Sequence, residues 1–288
     1  MRPQLTRYAL SNPASRFVRP PPSSIYCATR PLSSNANNDE PTTASLNPRW
    51  LSDLKTRIGK CIMFGLSTGQ TQEAGSILQE IALDWRGLVG GSEGFLTDKE
   101  RRGLYRQEVV WGEMYGHVNN VVYNRYAESA RVNWTLNFAN FIDPGHKKEW
   151  LELVTPCSTG LILRSIRTDY KFPMKYPDRV TVLHKLRSRP ESDTDHFILD
   201  VLILSELHRR PAARCVEDIV VYDYRQGKKA PFPPFMVDKL IETWELQEQA
   251  KQKYGNKVTE LIRRVRGLEK DSWDRPDAKE DMGSAAKP

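Results

Sequence analysis

The chain has 288 residues, 27% of them charged and 39% hydrophobic, with a formal charge of +7; this suits one globular domain with extensions rather than two full domains. No run reaches the ~18 apolar residues a membrane-spanning helix needs, and the nearest, HFILDVLILSEL at 196–207, is interrupted by Asp200 and reads as a strand. The four cysteines, Cys27, Cys61, Cys157 and Cys215, are far apart without a CxxC pair, so neither a zinc site nor a thiol redox motif is encoded and no metal is expected.

Residues 1–38 hold Arg2, Arg7, Arg16, Arg19 and Arg30, six serines and six prolines, with no Asp, Glu or Lys. An arginine- and serine-rich segment without acids and without a continuous apolar stretch reads as a mitochondrial transit peptide, which places the mature protein in the matrix. Setting those five arginines aside leaves 38 cations against 36 acids, a charge of +2. The basic character is therefore an address, and a nucleic-acid partner is not expected.

Residues 39–47 form a polar linker, with Asn47 placed to cap a helix whose first position is Pro48. Residues 48–100 read as a helical extension. Its first helix carries Trp50, Leu54, Ile58, Ile62 and Leu66 at intervals of four, and its second, TQEAGSILQEIALDWRGLV, stops at Gly90 and Gly91. From 101 to 230 the period changes. YRQEVVW is a strand, and NNVVYNRYAESARVNWTLNF is a helix with Tyr123, Ala127, Ala130, Trp134 and Phe138 on one face and Asn119 or Asn120 as its cap. Strands follow at 161–172, 179–188, 196–207 and 213–224, separated by YPD, RPESDTD and HRRP turns. The pattern is α+β, an antiparallel sheet covering one helix. Residues 231–270 read as a charged C-terminal helix, with a docking character, and 271–288 as a disordered tail.

The run VVWGE, GHVNNVVYNRYAESARVNW and MKYPDRVTVLHKLRS, preceded by RWLSDLKTRIGKCIMFGL and GSEGFLT, resembles the 4-hydroxybenzoyl-CoA thioesterase branch of the hotdog-fold superfamily, and within it the fungal mitochondrial thioesterase-like proteins. The resemblance spans about residues 49–226. It implies a hotdog fold, a homodimer or homotetramer paired through sheet edges, and hydrolysis of an acyl-CoA thioester with no cofactor beyond the substrate's own coenzyme A moiety.

That chemistry needs a carboxylate as base or nucleophile and a backbone N–H to polarise the thioester carbonyl. The resemblance puts the N–H of Asn120 in the oxyanion position, where the positive end of the helix dipole assists. Gly116 would allow close chain approach, and His117 and Asn119 would orient water or substrate. The carboxylate is where the chain departs from the family pattern W-G-D/E-x-D-x-x-G-H-V-N-N, because WGE runs directly into MYGH. Counted back from Gly116, Glu113 takes the catalytic position as a replacement for Asp; counted forward from Trp111, Glu113 is the upstream acid and the catalytic Asp is missing. Glu128, three residues before Arg131 and able to pair with it, is the reserve base. Tyr123, Arg164, Arg167 and Lys171 are the substrate-binding candidates, the three cations being suited to phosphate. The alternative from a different class is a hotdog subunit without catalysis that serves in a mitochondrial assembly, motivated by the shortened motif and the long charged helix.

Overall fold

The computed structural model of the chain describes residue 47 and residues 49–109 and 116–280, and its first helices begin where capping chemistry places them. Asn47 accepts the Arg49 N–H on its side chain at 2.9 Å and the Trp50 N–H on its carbonyl at 2.8 Å, opening α1 (Trp50–Met63). α2 (Thr68–Val89) starts three residues before the expected run, because Ser67 and Gln70 form a reciprocal capping box. The α1 stripe also differs from expectation. Leu51, Leu54, Ile58 and Cys61 are buried while Ile62 is 53% exposed, since a strict interval of four drifts about 40° per step around a helix of 3.6 residues per turn.

The sheet comprises β1 (Leu104–Glu108), β2 (Thr159–Tyr170), β3 (Arg179–Leu186), β4 (His196–Ser205) and β5 (Arg210–Asp223), in the order β1-β3-β4-β5-β2, all neighbours antiparallel. A two-residue β6 (Lys228–Lys229) pairs with the end of β5. β2 thus crosses to the far edge beside β5 instead of pairing with β3. Among the described residues nothing pairs with its outer side, which leaves a 12-residue edge strand.

Period-two alternation gives the sheet two buried faces. On one, Val180, Val182, Val201, Ile203, Ala213 and Cys215 meet Tyr123, Ala127 and Ala130 of α3 (Asn120–Asn137), and a continuing cluster joins Trp134 and Phe138 to Leu199 and Ile219. The small residues let α3 lie close: a Cβ on Gly103 would come 2.6 Å from the Ala130 carbonyl oxygen. Beyond α3, α4 (Lys147–Glu152) stacks Trp150 on Phe138 with ring centroids 4.5 Å apart.

On the other face, Leu183, Leu202 and Leu204 meet Ile58, Ile77, Ile81, Leu261 and Val265 from α1, α2 and α5 (Pro234–Asp271). α5 is 38 residues long and belongs to the fold rather than projecting from it as a docking element. Gln247 bridges the Leu186 backbone from both sides at 2.9 and 3.1 Å. The first residues of the tail expected from 271 pack on the fold. Ser272 is buried, and Trp273 packs on α1 with Lys60 Nζ 3.4 Å from its ring centroid. No described helix is long and apolar enough to cross a membrane.

Candidate active site

α3 begins at the edge of the sheet, and its capping sets up the candidate site. Asn119, in an extended conformation, accepts the Val121 N–H on its side chain at 2.9 Å, and its carbonyl accepts the Val122 N–H at 3.0 Å. Asn119 is therefore the cap, and Asn120 the first helical residue. Helix geometry gives the Asn120 N–H no intrahelical acceptor, and none of the described residues accepts from it. Asn120 itself is exposed.

The helix start is fastened to β2 and the segment after it. Tyr170 donates its hydroxyl to the Asn120 carbonyl at 3.2 Å, and the Val118 N–H donates to the Met174 carbonyl at 2.9 Å. Thr168 and Asn124 meet at 2.7 Å on the same side. Tyr123 is 2% exposed; it accepts the Met174 N–H at 3.0 Å and donates to the Phe172 carbonyl at 3.4 Å. Burial pushes its phenol above the ordinary tyrosine range. Its hydroxyl is committed to the chain and ties α3 to residues 172–174.

Gly116 adopts φ 69°, in the left-handed region, and a Cβ there would meet nothing within 4 Å among the described residues. The glycine serves a backbone conformation costly for other residues. His117 is half-buried, and its ring has no hydrogen-bond partner among the described residues. Glu113, the carboxylate of the sequence reading, lies outside the described residues, as does Trp111.

Other sequence candidates are not brought to the helix start. Glu128 is exposed, and eight residues along a helix separate it from Asn120 by about 12 Å at 1.5 Å per residue, beyond the reach of its side chain within one subunit. Arg131 does not pair with it. The guanidinium instead reaches Glu217 on β5 at 2.5 Å, because Glu217 is fully buried and a buried carboxylate requires a partner. Alternation along ARCVEDIVVYDY, which sets Glu217 on the same face as Ala213, Cys215 and Ile219, was the signal for this pairing. Thr168 and Tyr170 point toward α3, so Arg167 and Lys171 stand on the opposite face of β2, as does Arg164, which pairs with Asp218. Arg167 lies 3.7 Å from Asp169. The three cations therefore do not converge on the helix start. Tyr170 was the contributor missed in the sequence, since its role depends on β2 lying at the edge next to α3.

An antiparallel sheet laid over one central helix, with the open helix start beside an edge strand, is the hotdog fold. Residues 109–240 match the family model of the thioesterase-like superfamily. The match leaves out α1, α2 and most of α5. No curated protein matches the chain. Similar solved structures include a Thermus thermophilus thioesterase in complex with coenzyme A and zinc (22% identity, 53% of this chain and 98% of that chain, TM-score 0.39). Others are a 1,4-dihydroxy-2-naphthoyl-CoA thioesterase from Synechocystis (18%, 47% and 91%, TM-score 0.36) and a Staphylococcus aureus protein in complex with CoA (12%, 52% and 88%, TM-score 0.41).

Proposed function

We propose that the chain is an acyl-CoA thioesterase of the mitochondrial matrix, acting as a homodimer or homotetramer and using no cofactor beyond the coenzyme A moiety of its substrate. The observation that carries this reading is the start of α3, where Asn119 caps the helix through Val121 and the N–H of exposed Asn120 has no acceptor among the described residues. In the proposed reaction the thioester carbonyl oxygen sits at that N–H, where the helix dipole favours the developing negative charge. The Glu113 carboxylate takes a proton from water as the water oxygen bonds to the carbonyl carbon. The tetrahedral adduct then expels the coenzyme A thiolate, which takes up the proton, and the carboxylic acid is released.

The superfamily match supports thioester hydrolysis as the reaction class, the unpaired edge of β2 supports assembly through that strand, and the acid-free leader supports the compartment. The reading of a non-catalytic assembly subunit retains the shortened motif, while its second motivation is removed by the packing of α5. Hydrolysis of a panel of acyl-CoA esters, followed by release of the free thiol, is the test. The expected result is turnover reduced about 100-fold or more in Glu113→Ala, the scale on which a misplaced reacting group costs rate. Equal rates in the two proteins would remove Glu113 from the mechanism, and no turnover by either would leave the assembly reading.

A further inference from the structure

Many arginine side chains along the sheet and helices are paired with carboxylates. Arg57 meets Glu269, Arg86 meets Glu206, Arg101 meets Glu242, and Arg264 meets both Glu73 and Glu80. One pocket gathers several cations that are not. A cavity of about 690 Å³ lies between the start of α1, the segment after α2, α5 and the end of the sheet where β4 turns into β5. Arg49, Lys171, Arg209 and Lys251 line it, together with Lys185, Arg210 and Arg214; among the described residues the sole carboxylate in its wall is Glu93.

Glu93 is already used. Both its carboxylate oxygens bind Arg214 at 2.6 Å, and its main-chain carbonyl takes Lys185 Nζ at 2.6 Å. Arg210 lies over the Phe172 ring at 4.5 Å. Among the described residues, Arg49, Lys171, Arg209 and Lys251 have no ion-pair partner. Burial pushes the Lys185 ammonium below the ordinary lysine range, Asp200 and Glu93 oppose this, and Lys251 and Arg214 push it further down. Unopposed charge of one sign destabilises the fold that holds it.

Arg209 adds a second, independent observation. Its backbone sits at φ 50° in the β4–β5 turn, a conformation that costs a non-glycine residue about 1 kcal/mol or more and that persists where the surroundings make use of it. A glycine or asparagine would turn the chain more cheaply but would remove the guanidinium from the pocket.

We infer that this pocket binds an organic phosphate of nucleotide size. Its volume lies within the range of small-molecule sites, its four unpaired cations suit a ligand with two or more negative charges, and half-buried Trp50 in its wall offers a flat apolar surface to a base. The site is separate from the start of α3. Lys171 follows Tyr170 in the chain but lies on the opposite face of the sheet, and Arg49, at the start of α1, and Lys251, on α5, lie outside the superfamily match. The inference does not rest on thioesterase activity.

The test is calorimetric titration of the full chain with ADP, with adenosine as the uncharged control. The expected result is saturable ADP binding that weakens with added salt, no binding of adenosine, and a loss of about tenfold or more in ADP affinity in each of Arg49→Glu and Lys251→Glu, the scale of one hydrogen bond to a charged group. Exposed Arg49 precedes α1 and exposed Lys251 lies on α5, and an unchanged melting temperature excludes misfolding in either variant. Absence of saturable binding, or equal ADP affinity in both variants and the parent, overturns the inference. Coenzyme A distinguishes the source of the ligand. If it displaces ADP and acyl-CoA KM rises in the variants with kcat unchanged, the pocket takes the nucleotide half of the substrate; if it does not displace ADP, the ligand is a free nucleotide. The calorimetric result stands whether or not the chain hydrolyses thioesters.

Discussion

The two faces of the sheet bury charge differently. Under α3, Arg131, Glu217 and His184 meet between the two apolar clusters of that face. Arg131 reaches one oxygen of Glu217 at 2.5 Å, while His184 lies 3.4 Å from the other oxygen and outside hydrogen-bond geometry. Both ring nitrogens of His184 and one oxygen of Glu217 are buried without a hydrogen-bond partner. On the face covered by α1, α2 and α5, the centre is apolar and the buried carboxylate, Glu269, is held by two hydrogen bonds from Arg57 at 2.6 and 2.9 Å. Paired charges at the margin of an apolar layer cost little, whereas an incompletely bonded cluster in a core puts stability at risk. The comparison predicts that the α3 face is the more sensitive of the two to loss of a single charge.

The largest expected effect is therefore Glu217→Ala, which strands Arg131 and should cost about 3–5 kcal/mol in urea unfolding. Replacing the cluster together, as Arg131→Met, Glu217→Leu and His184→Leu, should restore most of that loss, because apolar groups of similar volume need no partners. A Glu217→Ala cost below about 1 kcal/mol would show that the cluster is not energetically coupled. On the other face the corresponding sensitivity is to volume. Leu261, fully buried against Ile58 and Ile77, should cost about 3 kcal/mol on replacement by Ala, from lost transfer energy and the cavity left behind.

Arg57→Ala should cost less, about 2 kcal/mol, the scale of hydrogen bonds to a charged group. Its signature is in pH. Burial pushes the Glu269 carboxyl up, but hydrogen bonds and charge from Arg57, then from Arg266, outweigh burial and hold it below its ordinary value of 4.5. A depressed carboxyl contributes stability that is present above its unfolded value and lost as pH falls through its folded value. Removing Arg57 should therefore shift the acid limb of the stability profile to higher pH, as read by melting temperature against pH. An acid limb that stays in place would contradict the pairing.

The features readable in the sequence were those decided locally. The Asn119–Asn120 pair ahead of an apolar period of 3.6 marks the start of α3, and the alternation of 196–207 and 213–224 marks β4 and β5, because each depends on residues a few positions apart. The long-range pairings were not readable. β2 runs beside β5 rather than β3, and this crossing is what turns Tyr170 toward Asn120 and Arg167 and Lys171 away from it. Arg131 was read with Glu128 by helical spacing, yet Glu217, 86 positions away, is its partner, since a fully buried carboxylate outcompetes one that water can solvate. Of the candidate site, the cap and the open N–H were readable from GHVNN. The role of Glu113 depends on the two registers of WGEMYGH, and that residue lies outside the described residues.

The smallest effect is kinetic, and it probes the two faces most directly. Each carries one buried thiol, Cys215 under α3 and Cys61 on α1. Burial pushes the Cys215 thiol up to about 11, with the Thr168 hydrogen bond opposing it and Glu217 and Asp169 adding to it. The thiolate is the reactive form, so at pH 8 a pKa of about 11 leaves about one Cys215 in a thousand reactive even before access is considered. Iodoacetamide should modify exposed Cys157 in the native protein and leave Cys215 and Cys61 intact, as read by peptide mass. Both buried thiols then report local opening. Cys215 is two positions from Glu217 on the same face, so if the charged cluster holds that face shut locally, Glu217→Ala should accelerate Cys215 labelling well beyond that of Cys61. Acceleration of both by the same factor would mean that the faces open together, and that the cluster under α3 acts on the fold as a whole.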